Sequence, residues 1–162
     1  MKSTIVVFGS STGTCENIAN TIAEKLGVEA INVTDFSADT IANHDNLILG
    51  TSTWGAGELQ DDWYDGVNVL KDADLSGKTV AIFGCGDSES YSDTFCAAMK
   101  EIYDAAEGAN IIGSVSTDGY TFDDSDAVDD GKFIGLALDD VNEDDKTEGR
   151  IDAWLDSIKG SL

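Results

Sequence analysis

The sequence predicts an α/β domain in which a doubly wound, five-stranded parallel sheet carries helices on both faces. Two patterns lead there. Short, nearly uninterrupted apolar runs occupy residues 5–8, 46–49 and 79–83, as expected of strands buried on both faces, and each is followed by glycine, at Gly9, Gly50 and Gly84. Between the runs, apolar residues recur at helical spacing: Ile18, Ile22, Ala23 and Leu26; Trp63, Val67 and Leu70; Phe95, Met99, Ile102 and Tyr103.

Two further strands, weaker by pattern, fall at residues 28–33 and 110–115, with Ile31, Val33, Ile111, Ile112 and Val115 as packing residues. A closing helix is marked by Ile151, Trp154, Leu155 and Ile158. The acidic stretch 118–148 interrupts this rhythm. It holds Lys132 and Lys146 as its lysines, yet contains the apolar run from Phe133 to Leu138, and it reads as an elaboration within the last strand region. A chain of 162 residues fits one domain, over 1–162, with the insertion at about 117–140.

With 9 basic against 32 acidic residues the formal charge is −23, which repels nucleic-acid phosphates and anionic membrane surfaces. No apolar run approaches the roughly 20 residues that span a bilayer. The apolar stretch after Met1 is too short for a signal peptide, so a cytoplasmic address is expected. Cys15, Cys85 and Cys96 show no paired metal spacing and read as free thiols, the last two as packing residues. His44 falls in a polar turn and reads as solvated; the adjacent carboxylates of Asp61 and Asp62 point apart on a helix and read as a solvated face.

Ligands of such a sheet sit beyond the strand C-termini. There, residues 9–17 (Gly-Ser-Ser-Thr-Gly-Thr-Cys-Glu-Asn) run from the first strand into a helix with small or hydroxyl side chains. Backbone N–H groups, hydroxyls and the helix dipole suit a phosphate; a Ser/Thr-rich turn that only caps the helix is the alternative. A nucleoside-triphosphate loop would need a lysine, and none lies between Lys2 and Lys25. The Gly-x-Gly-x-x-Gly dinucleotide fingerprint is missing, because Ser11 stands two after Gly9. One uncharged cradle suits one terminal phosphate.

Two aromatic segments end at the same edge: residues 51–63, with Trp54 in a glycine-flanked turn, and residues 84–93, with Tyr91. Singly, these are more often packing residues. Together with the cradle they describe a planar heterocycle on a phosphorylated arm.

At these positions the chain resembles the long-chain flavodoxin family. The phosphate motif Thr/Ser-x-Thr-Gly-x-Thr is matched by Ser10, Ser11, Thr12, Gly13 and Thr14, with Cys15 where threonine is usual; the turn from Thr53 to Gln60 is similar to the flavin loop, with Ser52 replacing a common proline; Gly86, Asp87 and Tyr91 are similar to the second loop. The segments 117–122, 131–136 and 140–150 resemble the insertion of long-chain members.

The resemblance implies the strand order 2-1-3-4-5, for which this family is itself the type example. It also implies a non-covalently bound FMN. Residues Ser10, Ser11, Thr12, Gly13, Thr14 and Cys15 would take the phosphate, with Ser52, Thr53 and Asp87 near the ribityl chain and Trp54 and Tyr91 on the two ring faces. Gly55, Ala56, Gly57, Cys85 and Gly86 complete the set. The implied function is a low-potential one-electron carrier, not an enzyme, cycling between semiquinone and hydroquinone, with the Gly55-Ala56 peptide flipping to accept the N5 proton. Expected partners are basic-faced redox proteins, such as an NAD(P)H-linked flavoprotein reductase or an iron–sulfur oxidoreductase, met by a monomer. A flavin-dependent quinone reductase is the nearer rival. A phosphoacceptor domain ranks below it, because the strand ends hold Gly9-Ser10 and Gly50-Thr51 where aspartates are needed.

Overall fold

A computed structural model describes residues 3–9, 14–54, 58–59, 62–86, 96–117, 120, 125, 127–129, 131–139 and 144–162, with the backbone alone at 14, 52–54 and 58–59. In chain order the elements are β1 (Thr4–Gly9), α1 (Thr14–Leu26), β2 (Glu29–Asn32), α2 (Ala38–Ala42), β3 (Asn46–Trp54), β4 (Glu58–Leu59), α3 (Trp63–Asp72), β5 (Thr79–Cys85), α4 (Met99–Ala105), β6 (Asn110–Ile112), β7 (Val115–Ser116), β8 (Val128–Asp129), β9 (Lys132–Phe133), β10 (Leu136–Leu138) and α5 (Asp144–Ile158).

The main sheet runs β10-β5-β3-β1-β2 with all these neighbours parallel, and the short β4 folds back antiparallel on β3. This is the order 2-1-3-4-5, with the fifth position divided in two. β6 pairs with the first half of β5 (Thr79↔Asn110 to Ala81↔Ile112) and β10 with the second (Phe83↔Leu136 to Cys85↔Leu138). The strand expected over 110–115 therefore stops early. At Gly113 the chain turns through a φ of +88°, which glycine tolerates and other residues rarely adopt. The Gly113 carbonyl accepts the Trp154 indole N–H at 2.8 Å. Val115 then pairs in a separate sheet of order β7-β9-β8.

Strand alternation sends side chains to two cores. On one face Ile5, Val7, Leu47, Leu49, Val80 and Ile82 meet Trp63, Val67 and Leu70 of α3 and Met99 and Ile102 of α4. On the other, Val6, Phe8, Ile48, Ala81 and Phe83 meet Ile18, Ile22 and Ala23 of α1 and Ile151, Trp154 and Leu155 of α5. Each Val, Leu, Ile, Phe or Met among them contributes about 1.5–3 kcal/mol when fully buried, which is why the apolar runs settle at the centre. α1 ends in a Schellman cap: Gly27 adopts φ +69°, and the Val28 and Gly27 amides donate to the Ala23 and Glu24 carbonyls at 2.9 and 3.2 Å. Helix α2 and strand β4 have too few residues to show a period and were not expected.

Candidate functional site

The sheet register places three strand ends side by side. Gly9 of β1 is opposite Thr51 of β3; Thr51 is opposite Gly84 of β5, and Ser52 opposite Cys85. Helix α1 begins at Thr14, five residues beyond the end of β1, and its first amides have no partner within the helix. These donors and the positive end of the helix dipole lie at the same rim. Of the expected residues, Thr14 opens α1, Ser52, Thr53 and Trp54 form the end of β3, Cys85 closes β5 and Gly86 follows it. Ser10, Ser11, Thr12, Gly13, Gly55, Ala56, Gly57, Asp87 and Tyr91 lie outside the described residues, as do Asp61, Glu89 and Phe95.

The chain that leaves and re-enters this rim is fastened at its roots. Beyond Trp54 it returns through β4, pairing Thr53 with Leu59 and Trp54 with Glu58. Trp63, wholly buried at the start of α3, donates its indole N–H to the Gly50 carbonyl at 2.6 Å. After β5, the Gly86 amide donates to the Leu138 carbonyl at 3.0 Å, and the Cys96 thiol reaches that same carbonyl at 3.7 Å. Residues 86 and 96, on either side of the span that contains Asp87 and Tyr91, thus share one anchor on β10. Sequence reading took Trp63 and Cys96 only as packing residues. A signal for Trp63 was present, since a buried indole N–H requires an acceptor.

Cys15 is fully buried and its thiol faces that of Cys85. The hydrogen bond with Cys85, reinforced by burial, pushes the Cys15 thiol well above its ordinary value, and burial does the same for Cys96. Both stay protonated at neutral pH. What Cys15 offers the rim is its backbone amide, because its sulfur is turned into the core. His44 is half-buried rather than solvated, its Nδ1–H donating to the Thr40 carbonyl at 2.8 Å. Among the described residues no cluster of His, Cys, Asp or Glu could hold a metal ion, and no described helix is long and apolar enough to cross a membrane.

The sequence profile of the flavodoxin family matches residues 6–154. The chain belongs to the flavodoxin family. It is 42% identical over 159 residues to flavodoxin 1 of Azotobacter vinelandii, covering 93% of this chain and 91% of that one, and 39% identical over 158 residues to the flavodoxin of Helicobacter pylori, covering 97% and 96%. Among solved structures, the Fusobacterium nucleatum flavodoxin bound to flavin mononucleotide superposes with a TM-score of 0.93 at 32% identity, over 100% of this chain and 99% of that one. Flavodoxins are electron-transfer proteins, and this membership sets the chain apart from the quinone-reductase and phosphoacceptor alternatives.

Proposed function

We propose that this flavodoxin binds FMN non-covalently at the β1/β3/β5 rim and carries single electrons between larger redox proteins. The observation that carries the reading is the register that aligns Gly9, Thr51 and Gly84 beside the start of α1, so that three segments of the chain depart from one edge. The donor set fits the group: a helix start with orphan amides, and no lysine or arginine from residue 3 to residue 24, suit a single phosphate monoester. The relatives' flavodoxin identity and the FMN in the Fusobacterium structure support the same group.

Bound there, FMN would supply one-electron chemistry that no side chain has. Ser10, Ser11, Thr12, Gly13, Thr14 and Cys15 hold the phosphate through amides and hydroxyls. Trp54 and Tyr91 cover the ring faces, Ser52, Thr53 and Asp87 meet the ribityl chain, and Gly57, Cys85 and Gly86 shape the walls. The Gly55-Ala56 peptide would supply a carbonyl that could accept a hydrogen bond from the flavin ring, with glycine making the needed rotation inexpensive.

Glu58, Asp61, Asp62, Asp65, Asp87 and Glu89 cluster near these segments in sequence, within a chain of formal charge −23. That field disfavours further negative charge on the ring and makes the second electron strongly reducing. It also selects basic-faced partners, such as an NAD(P)H-linked flavoprotein reductase or an iron–sulfur oxidoreductase, and keeps the chain monomeric in the cytoplasm. The chain acts as one domain, 1–162, with its insertion at about 117–140.

Stepwise reduction of the FMN-loaded protein, followed in the visible spectrum, tests the reading. Two one-electron steps separated in potential are expected. A single two-electron step, or steady NADH-dependent quinone turnover with no partner protein, would overturn it. The partner reading fails separately if the association rate with a basic redox protein does not fall as salt is added.

A further inference from the structure

We propose that Trp63 is a positioning residue for the cofactor: its indole N–H locks the end of β3 to the start of α3, so that the backbone of Ser52, Thr53 and Trp54 is held in the form that grips the flavin. The inference rests on the reading of residues 52–57 as a flavin-binding segment.

The Gly50 carbonyl belongs to a strand flanked on both sides, by Phe8 of β1 and Phe83 of β5. On the α1 face Phe83 fills the space beside Gly50, where a Cβ would overlap its ring. On the α3 face the indole arrives from Trp63 and bonds the carbonyl at 2.6 Å. Strand β3 is therefore restrained along its length by the sheet and on both faces by aromatic rings.

The indole is itself fixed by neighbours that owe nothing to a cofactor. Phe36 lies against it with centroids 6.1 Å apart, and Gly66 leaves room where a Cβ would come within 2.7 Å of the Trp63 ring. Gly50 and Trp63 stand 13 residues apart, and the chain between them leaves through Ser52, Thr53 and Trp54 and returns through β4. The indole bond closes that excursion on its own starting point. A phenylalanine would keep an aromatic ring in that apolar space, though a smaller one, so apolar packing alone does not call for the nitrogen. Without it, the strand end keeps its pairing with β1 and β5 but loses the restraint that ties it to α3, and the Gly50 carbonyl loses a donor in the core.

Trp63→Phe keeps an aromatic side chain, smaller by one ring, and removes the donor. Three quantities are read in this variant and in the wild type: FMN affinity by titration of the apoprotein, the separation of the two one-electron potentials, and the urea midpoint of the apoprotein. The expected result is FMN binding weakened about tenfold with a changed separation of potentials, in an apoprotein that still unfolds cooperatively. Affinity and separation equal to wild type would overturn the proposal even if the urea midpoint fell, because a lower midpoint alone is a packing effect. Trp54→Ala, measured alongside, separates the two levels of inference. If it leaves FMN affinity unchanged, the flavin-segment reading fails and the positioning role falls with it; if it weakens binding while Trp63→Phe does not, only the positioning role fails. Should Trp63→Phe not fold, hydrogen exchange of the wild-type Trp63 indole decides. By linkage, a bond that helps hold FMN is tightened when FMN binds, so exchange should slow about tenfold on loading; an equal rate with and without FMN would overturn the proposal.

Discussion

Strands β1, β3 and β5 and the excursion between Gly113 and Gly135 are built by different means. The described side chains of the central strands are buried, and the apolar ones alternate between two cores, so many small contributions act together. The excursion has two-residue strands and reaches the α3-side core only through Ala127, Phe133 and Ile134 among its described buried residues, so individual contacts carry more of its attachment. The Tyr120 hydroxyl donates to the Ala137 carbonyl at 2.7 Å, its ring meets Phe133 edge-on at 4.9 Å, and the Arg150 guanidinium stacks over it at 3.9 Å. A region held collectively tolerates the loss of one contact, whereas a region held by a few bonds opens when one is removed.

The largest effect is expected where the two regions join. Gly135 precedes β10, and a Cβ there would overlap the Ile82 backbone carbonyl of β5, which no rotamer change can move aside. Gly135→Ala should lower stability by about 3 kcal/mol or more and displace β10 from β5, as read by urea unfolding of the apoprotein. An unchanged midpoint would show that β10 is not tightly seated and would blur the distinction between the regions.

Removing the aromatic anchor tests the difference directly. Phe133→Ala should cost about 3 kcal/mol within the excursion, and Tyr120→Phe about 1 kcal/mol through the lost hydrogen bond to Ala137. In both variants hydrogen exchange should accelerate at Val115, Ser116, Val128, Asp129 and Lys132 while the amides of β1 and β3 keep their protection. Parallel loss of protection in β1 and β3 would make the two regions one cooperative unit.

The same contrast explains what could be read from sequence. The nearly uniform runs at 5–8, 46–49 and 79–83 became β1, β3 and β5, because strands buried on both faces leave few polar positions, here Asn46 and Thr79 at the strand starts, to confuse the pattern. The break after Ile112 was invisible: residues 110–115 read as one strand, and only the left-handed turn at Gly113, fastened by Trp154, sends Val115 into another sheet. Long-range bonds between a side chain and a carbonyl have no periodic trace. For the same reason the rim itself was legible from the glycines that follow the apolar runs, while its fastenings, Trp63 to Gly50 and Cys96 to Leu138, were not. The burial of the Cys15 sulfur was equally hidden, since its place in the phosphate motif at a helix start does not say which way its side chain points.

The last expected effect is confined to alkaline pH and concerns those thiols, which sit where the collectively packed strands meet the fastened segments. Cys15, through its bond to Cys85 and its burial, and Cys96, through its burial, ionise in the folded protein only well above the ordinary thiol range. In the unfolded chain they ionise near about pH 8.5. The folded state then binds more protons than the unfolded state above that pH, so the stability these thiols contribute is fully present below about pH 8.5 and declines as pH rises, by at most about 1.4 kcal/mol per pH unit for each. Urea midpoints measured between pH 7 and 10 should therefore fall more steeply for wild type than for a Cys15→Ala/Cys96→Ala variant, whose smaller side chains lower stability at every pH without adding an alkaline slope. Parallel pH profiles would mean that the two sulfurs ionise alike in both states and that the core beneath the rim admits water, which would set it apart from the rest of the central sheet.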